Sequence, residues 1–452
     1  MSTIDRSVRV AVVGAGPAGA YAADALLKSP VGPGVSVDIF ERLPAPFGLI
    51  RYGVAPDHPR IKGIVTALQR VLDRDQVRFF GNVEYGADIS LHELRTFYDA
   101  VVFATGADRD FPLALPGVEL AGSHGAAAFT SWYDGHPDVP REWPLHARKV
   151  AILGVGNVAL DVARVLAKDV AELMDTEIPP NVVAGLQRNE AQEVHVFGRR
   201  GPAEAKFTPL ELRELDQSPN VEVIVDPADI DYDETGVRAR RESKQVDMVA
   251  RTLEQWATRD VGARRRKLFL HFFESPVEIL GVDGAVAGLR TERTRLDGSG
   301  GVRGTGQLHD WECQAVYRAV GYRSSPLTDV PFADESGVIP NDRGRVSGMP
   351  ATYVTGWIKR GPVGLIGHTK GDANETVAAL VADLPNLSPP SAPSPQAVDR
   401  FLAERGVRYT TWSGWRNLDA HERRIGAAEN RERIKIVGRQ DMIRHSISPA
   451  MS

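Results

Sequence analysis

Gly14, Gly16 and Gly19 (GAGPAG) lie between an apolar run, VRVAVV at residues 8–13, and an alanine-rich stretch with helical periodicity. Glycines so placed let a chain turn tightly and bring its backbone against a pyrophosphate, which the N-terminus of the following helix attracts. A second apolar run, VSVDIF at 35–40, ends at Glu41, an acid placed to accept hydrogen bonds from both hydroxyls of a ribose. The pattern returns about 140 residues later with a different ending. Gly154, Val155, Gly156 and Asn157 open a second turn, GVGNVA, after the run KVAIL. The strand-like VHVF at 194–197 that follows leads to Arg199 and Arg200, not to an acid. Two guanidiniums match a 2′-phosphate by charge and by forked geometry. Each motif also has a plainer reading, a structural loop for the first and a solvated arginine pair for the second. The chemistry these residues suit is the binding of two different dinucleotides, FAD at the first turn and NADP at the second. NADPH gives up a hydride, and a flavin accepts one and releases electrons singly.

The elements that must position these residues are legible around them. Each turn stands in a strand–turn–helix–strand unit, and DAVVFATG at 99–106 reads as a further buried strand closing on small residues. The gap from Gly154 to Arg199 exceeds the usual ~20 residues, and the polar stretch 175–192 reads as the insertion responsible. A charged segment at 228–267 and strands such as LFLHFF at 268–273 follow. NLSPPSAPSPQ at 386–396 reads as an extended linker into an arginine-rich tail containing WSGW. The expected fold is α/β, with two Rossmann-like three-layer dinucleotide-binding modules, the NADP module inserted into the FAD module. The expected boundaries are 1–108 and 321–385 for the FAD module, 109–320 for the NADP module, 386–396 for the linker and 397–452 for the C-terminal segment.

Composition narrows the function. The 452 residues are 42% hydrophobic and 25% charged, as in an ordinary globular protein, with a formal net charge of −5 that gives no reason to expect nucleic-acid binding. No apolar run suits a membrane helix, and the start lacks the plan of a signal peptide, so the expected compartment is the cytoplasm. A single cysteine, Cys313, excludes a CxxC redox pair, an internal disulfide and a cysteine-held iron–sulfur cluster, and no metal site is expected. Electrons arriving at a flavin must then leave to an external carrier or to oxygen.

Six blocks share a pattern with a known family: PFGLIRYGVAPDHPR at 46–60, GNV at 81–83, GVGNVALD at 154–161, GRRGP at 198–202, FTPLELREL at 207–215 and GWIKRGPVGLIG at 356–367. In this order, over residues 8 to about 380, the chain resembles adrenodoxin reductase and most closely its actinobacterial relatives, the NADPH–ferredoxin reductases. The resemblance implies that Ala18, Glu41, Leu49 and Val83 contact FAD, with Trp357 and the backbone of Gly364, Leu365 and Ile366 near the flavin ring. It implies that Gly154 to Asn157 hold the NADP pyrophosphate, Arg199 and Arg200 its 2′-phosphate, and Glu211 the nicotinamide end. His58 and Glu211 match the pair that the family places near the nicotinamide–flavin contact for proton handling or positioning. Without the resemblance, His58 reads as a structural histidine in a proline-bounded turn and Glu211 as part of a solvated helix face.

The implied activity is NADPH:ferredoxin oxidoreduction, possible service to a cytochrome monooxygenase system included. Between Arg238 and Lys267 there are ten Lys/Arg against four Asp/Glu, a stripe suited to steering an acidic ferredoxin. Arg213, Arg238, Arg240 and Arg241 are the candidate docking cations. Three rivals stay open from the sequence: a flavin monooxygenase, a diaphorase-like subunit of a larger redox complex, and a nucleotide-binding sensor.

Overall fold

The computed structural model describes residues 6–364 and 366–447, apart from the side chain of Ile366. It divides into two compact units, one made of Met1–Arg109, Asp134–Asp138 and Tyr322–Ser452, the other of Asp110–Tyr133 and Val139–Gly321. The second unit is thus inserted in the chain of the first.

The first unit is built on a seven-stranded sheet. Val8–Val13 lies between Ala100–Phe103 on one side and Val35–Glu41 on the other, all parallel, with Val77–Gly81 beyond the latter and Thr352–Val354 beyond the former. Every residue of Val8–Val13 is buried, which explains why all but Arg9 are apolar: helices cover both faces of a parallel sheet. Each valine so buried contributes roughly 1.5–3 kcal/mol. A small polar cluster interrupts this interior. Asp38 on the second strand accepts from Arg9, Arg78 and Tyr98. Arg9 also donates to the carbonyls of Pro393 and Ser394, so the Pro/Ser-rich segment is pinned to this unit by charge-assisted bonds.

The second unit carries a six-stranded sheet of parallel strands in the order 123–125, 315–318, 149–153, 193–197, 266–271 and 221–225. Lys149–Leu153 is the strand from which the order departs in both directions, and at its carboxyl end an open α/β sheet presents a crevice to a ligand. A three-stranded antiparallel sheet, Glu274–Val282, Ala285–Leu296 and Val302–Glu312, is added to it. The charged segment 228–267 folds mainly as two helices, Glu234–Glu242 and Lys244–Ala257. The stretch 175–192 is less polar in place than in sequence: it forms the helix Pro180–Gln187 and buries Ile178, Val182, Leu186 and Ala191.

Among the described residues, no helix is long and apolar enough to cross a membrane.

Candidate functional site: two glycine turns

The two turns have the same backbone. Gly14 donates its N–H to the carbonyl of Phe40 (2.7 Å), and Gly154 donates to Phe197 (3.0 Å), so each turn is tied to the strand that follows its helix. Gly14 has φ +110° and Gly154 φ +133°, a region in which a Cβ is strained. A Cβ would also lie 2.5 Å from the Ala104 oxygen at Gly14 and 2.3 Å from the Ala319 oxygen at Gly154. The middle glycines differ in kind: a Cβ at Gly16 or at Gly156 would meet nothing within 4 Å. Both turns therefore leave open space in front of the helix N-terminus, where a pyrophosphate can approach the backbone. Gly19 packs its helix on the turn, since a Cβ there would lie 2.0 Å from the Gly14 oxygen; Ala159 is buried in the equivalent place.

In the first unit, Glu41 closes back on its own turn. Its Oε2 accepts from the N–H of Ala15 (2.9 Å) and its Oε1 from that of Leu43 (3.1 Å). Burial pushes its carboxyl above the ordinary range, against these backbone N–H bonds and the Arg42 charge that pull it down. Each oxygen keeps a second lone pair for a ribose hydroxyl. Ala18 is buried, and Gly356, at φ +76°, approaches it so closely that a Cβ would meet the Ala18 methyl at 2.6 Å. Asp372 fixes this approach by accepting from the Gly356 N–H (2.6 Å). Trp357 is half-buried, with its ring 6.0 Å from that of Tyr322. Leu49 begins the short helix Leu49–Tyr52, and buried Val83 donates its N–H to the Glu41 carbonyl (2.9 Å). Gly364 is exposed at φ +87°. Leu365, and the side chain of Ile366, lie outside the described residues. His58 is buried, and its carbonyl accepts from the N–H groups of Ile61 and Lys62 at the start of the next helical turn. The shape suits FAD: an open turn, an acid tied to that turn and a tight glycine contact beside the helix.

Several residues that brace this turn escaped the sequence reading. Phe47 sits at φ +84°, costly for a residue with a Cβ, and Gly48 follows at +50°, 3.3 Å from Gly16 Cα by its ideal Cβ. Phe47 donates its N–H to the Ala15 carbonyl (2.9 Å), and the rings of Trp412 and Trp415 meet it edge-on at 6.4 and 5.9 Å. Arg51 is buried in a bidentate pair with Glu422 (3.0 and 2.5 Å) and stacks over Trp415. Lys435 donates to the Arg51 carbonyl (2.6 Å). The C-terminal segment thus holds the loop that covers the first turn. No local signal marks this, because the partners are more than 360 residues apart.

In the second unit, Asn157 joins the turn to the FTPLELREL block. Its Oδ1 accepts from the N–H of Thr208 (2.9 Å), and Lys206 donates to the Val155 carbonyl (2.8 Å). Thr208 in turn caps the helix Pro209–Glu214, in which Glu211 is buried. Arg199 and Arg200 line a cavity of about 400 Å³ with Ser275, Glu292, Thr294 and Gly304. Among the described residues neither arginine makes an ion pair, and Glu292 instead accepts from the Gly306 N–H (2.9 Å). Two cations without an ion pair beside a cavity, Arg200 near the Glu204 charge, suit an anionic group, as NADP supplies with its 2′-phosphate. Cys313 is buried, and burial pushes its thiol up to about 12, so it is inert as a nucleophile.

The docking candidates divide. Arg213, Arg238 and Arg241 are exposed and make no ion pair among the described residues. Arg240 is committed internally, to Asp247 (3.2 Å) and Glu254 (2.5 Å) and over the Tyr232 ring. Within the same stripe Arg251, Arg259, Arg264 and Arg265 are also paired, and Arg266 is buried on backbone carbonyls. Arg240 is therefore already paired within its own pair of helices.

A family model described as pyridine nucleotide-disulphide oxidoreductase matches residues 8–194. The chain is 40% identical over 457 residues to the NADPH-ferredoxin reductase FprA of Mycobacterium tuberculosis, covering 97% of this chain and 99% of that protein. It is 37% identical to the mitochondrial NADPH:adrenodoxin oxidoreductase of Arabidopsis thaliana, covering 98% of this chain and 96% of that one. The solved structure of Mycobacterium tuberculosis FprA in complex with NADPH superposes with a TM-score of 0.91 at 38% identity, over 98% of this chain and 100% of that chain. The disulphide in the family description has no counterpart here, since Cys313 is the one cysteine. With this agreement over nearly the whole length, the chain belongs to the family of NADPH–ferredoxin and NADPH:adrenodoxin reductases.

Proposed function

We propose that the protein is an FAD-containing NADPH:ferredoxin oxidoreductase. When bound, FAD would supply the chemistry of accepting a hydride from NADPH and releasing electrons singly to an iron–sulfur protein. The observation that carries this reading is the pair of like turns with unlike endings, Glu41 tied to its own turn and Arg199 and Arg200 beside a cavity without an ion pair among the described residues.

In this reading Gly14, Gly16, Ala18, Gly19, Glu41, Leu49, Val83, Trp357, Gly364, Leu365 and Ile366 hold FAD. Gly154 to Asn157 hold the NADP pyrophosphate, and Arg199 and Arg200 the 2′-phosphate. Glu211 orients the nicotinamide end; its backbone N–H donates to the Thr208 hydroxyl, and Asn157 accepts from the Thr208 N–H. His58 handles a proton beside the flavin. Hydride transfer depends on geometry more than on acid–base help, so both side chains act chiefly by positioning. The FAD module is assigned to 1–108 and 321–385 and the NADP module to 109–320, with a linker at 386–396 and the C-terminal segment at 397–452. Arg213, Arg238 and Arg241 form the cationic face for an acidic ferredoxin, and the working compartment is the cytoplasm.

The test is steady-state cytochrome c reduction by the purified protein, with and without added ferredoxins, using NADPH and NADH side by side. Strong ferredoxin stimulation with a preference for NADPH is expected. A rate indifferent to ferredoxin, with the electrons recovered as peroxide, overturns the reading in favour of an oxygen-reacting flavoenzyme.

A further inference from the structure

The turn that carries Arg199 and Arg200 is gripped from outside its own βαβ unit. The carbonyl of Gly198 accepts from the Glu274 N–H (3.0 Å), that of Arg200 from the Phe273 N–H (3.2 Å), and that of Arg199 from the Thr294 hydroxyl (2.8 Å). Three successive carbonyls are thus taken by the added antiparallel strands and the residue that leads into them. Thr294 is buried, and its own N–H donates to the Phe273 carbonyl (2.8 Å), which closes the clamp. Phe273 stands at φ +59°, unusual for a residue with a Cβ. Its ring fills the space at Gly201, where a Cβ would lie 2.6 Å from it. The Arg293 guanidinium lies over the same ring at 5.5 Å and is itself tied to Asp229 and to the Phe272 carbonyl. Ser275, Glu292 and Thr294, from the same strands, line the cavity with the two arginines.

We propose that Thr294 is a coenzyme-selectivity residue, which through its hydroxyl fixes the Arg199 backbone so that the arginine pair is pre-organised for a 2′-phosphate. It is a positioning residue, acting through Arg199 and not on the reacting ring. The physical reason is entropic. Two long side chains lose rotamer freedom when they close on a phosphate, and a backbone already held reduces what remains to be ordered. NADH has no 2′-phosphate, so it gains nothing from this arrangement. The inference rests on the reading of Arg199 and Arg200 as the 2′-phosphate ligands.

The experiment is a graded series, Thr294→Ser, Thr294→Cys and Thr294→Val, in the full chain loaded with FAD. Ferricyanide reduction is followed with NADPH and with NADH, and Arg199→Ala/Arg200→Ala is run in parallel. Loss of one hydrogen bond predicts that Val raises KM for NADPH roughly fivefold, with kcat and the NADH values unchanged. Cys, a weaker donor, falls between, and Ser restores the native value. If the valine variant does not fold, the Cys and Ser members and their binding of 2′,5′-ADP against 5′-ADP by calorimetry decide the same point. Equal changes for NADPH and NADH, or a series that leaves both unchanged while the double arginine variant loses its NADPH preference, overturn the role of Thr294 alone. A double arginine variant that keeps the preference overturns the reading beneath it.

Discussion

The two glycine turns differ in almost nothing that makes a turn and in almost everything that chooses a ligand. Both tie their first glycine to the next strand, both place it at positive φ, and both leave the middle glycine open. At the first, the acid after the strand bonds the turn itself, so the unit is closed around its own N–H groups. At the second, the cations after the strand bond nothing charged among the described residues, and distant strands hold their backbone. The turns are thus alike in backbone, and they differ in the residues that end the following strand and in what positions those residues.

The severest way to break the comparison is to add a Cβ at each first glycine. Gly14→Ala and Gly154→Ala each combine positive φ with a backbone clash and cost about 3 kcal/mol or more at their own site. Gly14→Ala should purify without FAD. Gly154→Ala should remain yellow while its affinity for NADPH, measured by calorimetry, falls by roughly 100-fold or more. Loss of flavin from both variants breaks the assignment of separate sites.

Arg199→Ala/Arg200→Ala removes the difference between the turns and leaves their common part. KM for NADPH should rise by roughly 100-fold or more, from two charge-assisted bonds of about 1.5–3 kcal/mol each, with NADH little changed. Equal losses for both coenzymes would make the arginines structural.

Acid tests the interior of the second unit. In the second unit burial, helped by Arg318 and His146, holds His124 down at about 4. Burial, with His195 and Arg293, holds His271 down at about 3. A histidine whose folded pKa is depressed stabilises the fold above its unfolded value near 6.5, and that stability is lost as pH falls toward the folded value. From pH 6.5 to about 4 each should withdraw up to about 1.4 kcal/mol per pH unit. Urea midpoints between pH 7 and 4.5 should fall, and His271→Gln should flatten the slope; an unchanged slope refutes the buried neutral state.

The smallest effects belong to the surface. Arg213→Ala, Arg238→Ala and Arg241→Ala should each weaken ferredoxin-dependent turnover a few-fold at low ionic strength and little at high salt. Arg240→Ala should act on the stability of its two helices more than on the salt dependence. Equal salt dependence in all four variants would remove the distinction between free and committed cations.

Much of this was legible in the chain because it is local. A buried parallel strand is mostly apolar, and a glycine turn follows it at once, so Val8–Val13, Lys149–Leu153 and their turns stand where the pattern puts them, each strand with a single basic residue. The basic stripe shows the opposite case. Ten cations between 238 and 267 read as a docking face, yet Arg259 and Arg264 answer Asp216, and Arg266 fills a set of carbonyls from residues 166–168. Charge counts along a sequence omit the acids that folding brings opposite.

By itself the sequence determined the two α/β dinucleotide modules, the nesting of one in the other and the contrast between Glu41 and Arg199–Arg200. Hydrophobic periodicity, glycine φ and side-chain charge are properties of neighbouring residues. Only the tertiary structure decided what braces each turn. Arg51 meets Glu422 and Phe47 meets Trp415 across almost the whole chain, and Thr294 reaches Arg199 from another sheet. Such contacts depend on which surfaces the packed strands bring together, and no spacing within either partner encodes them.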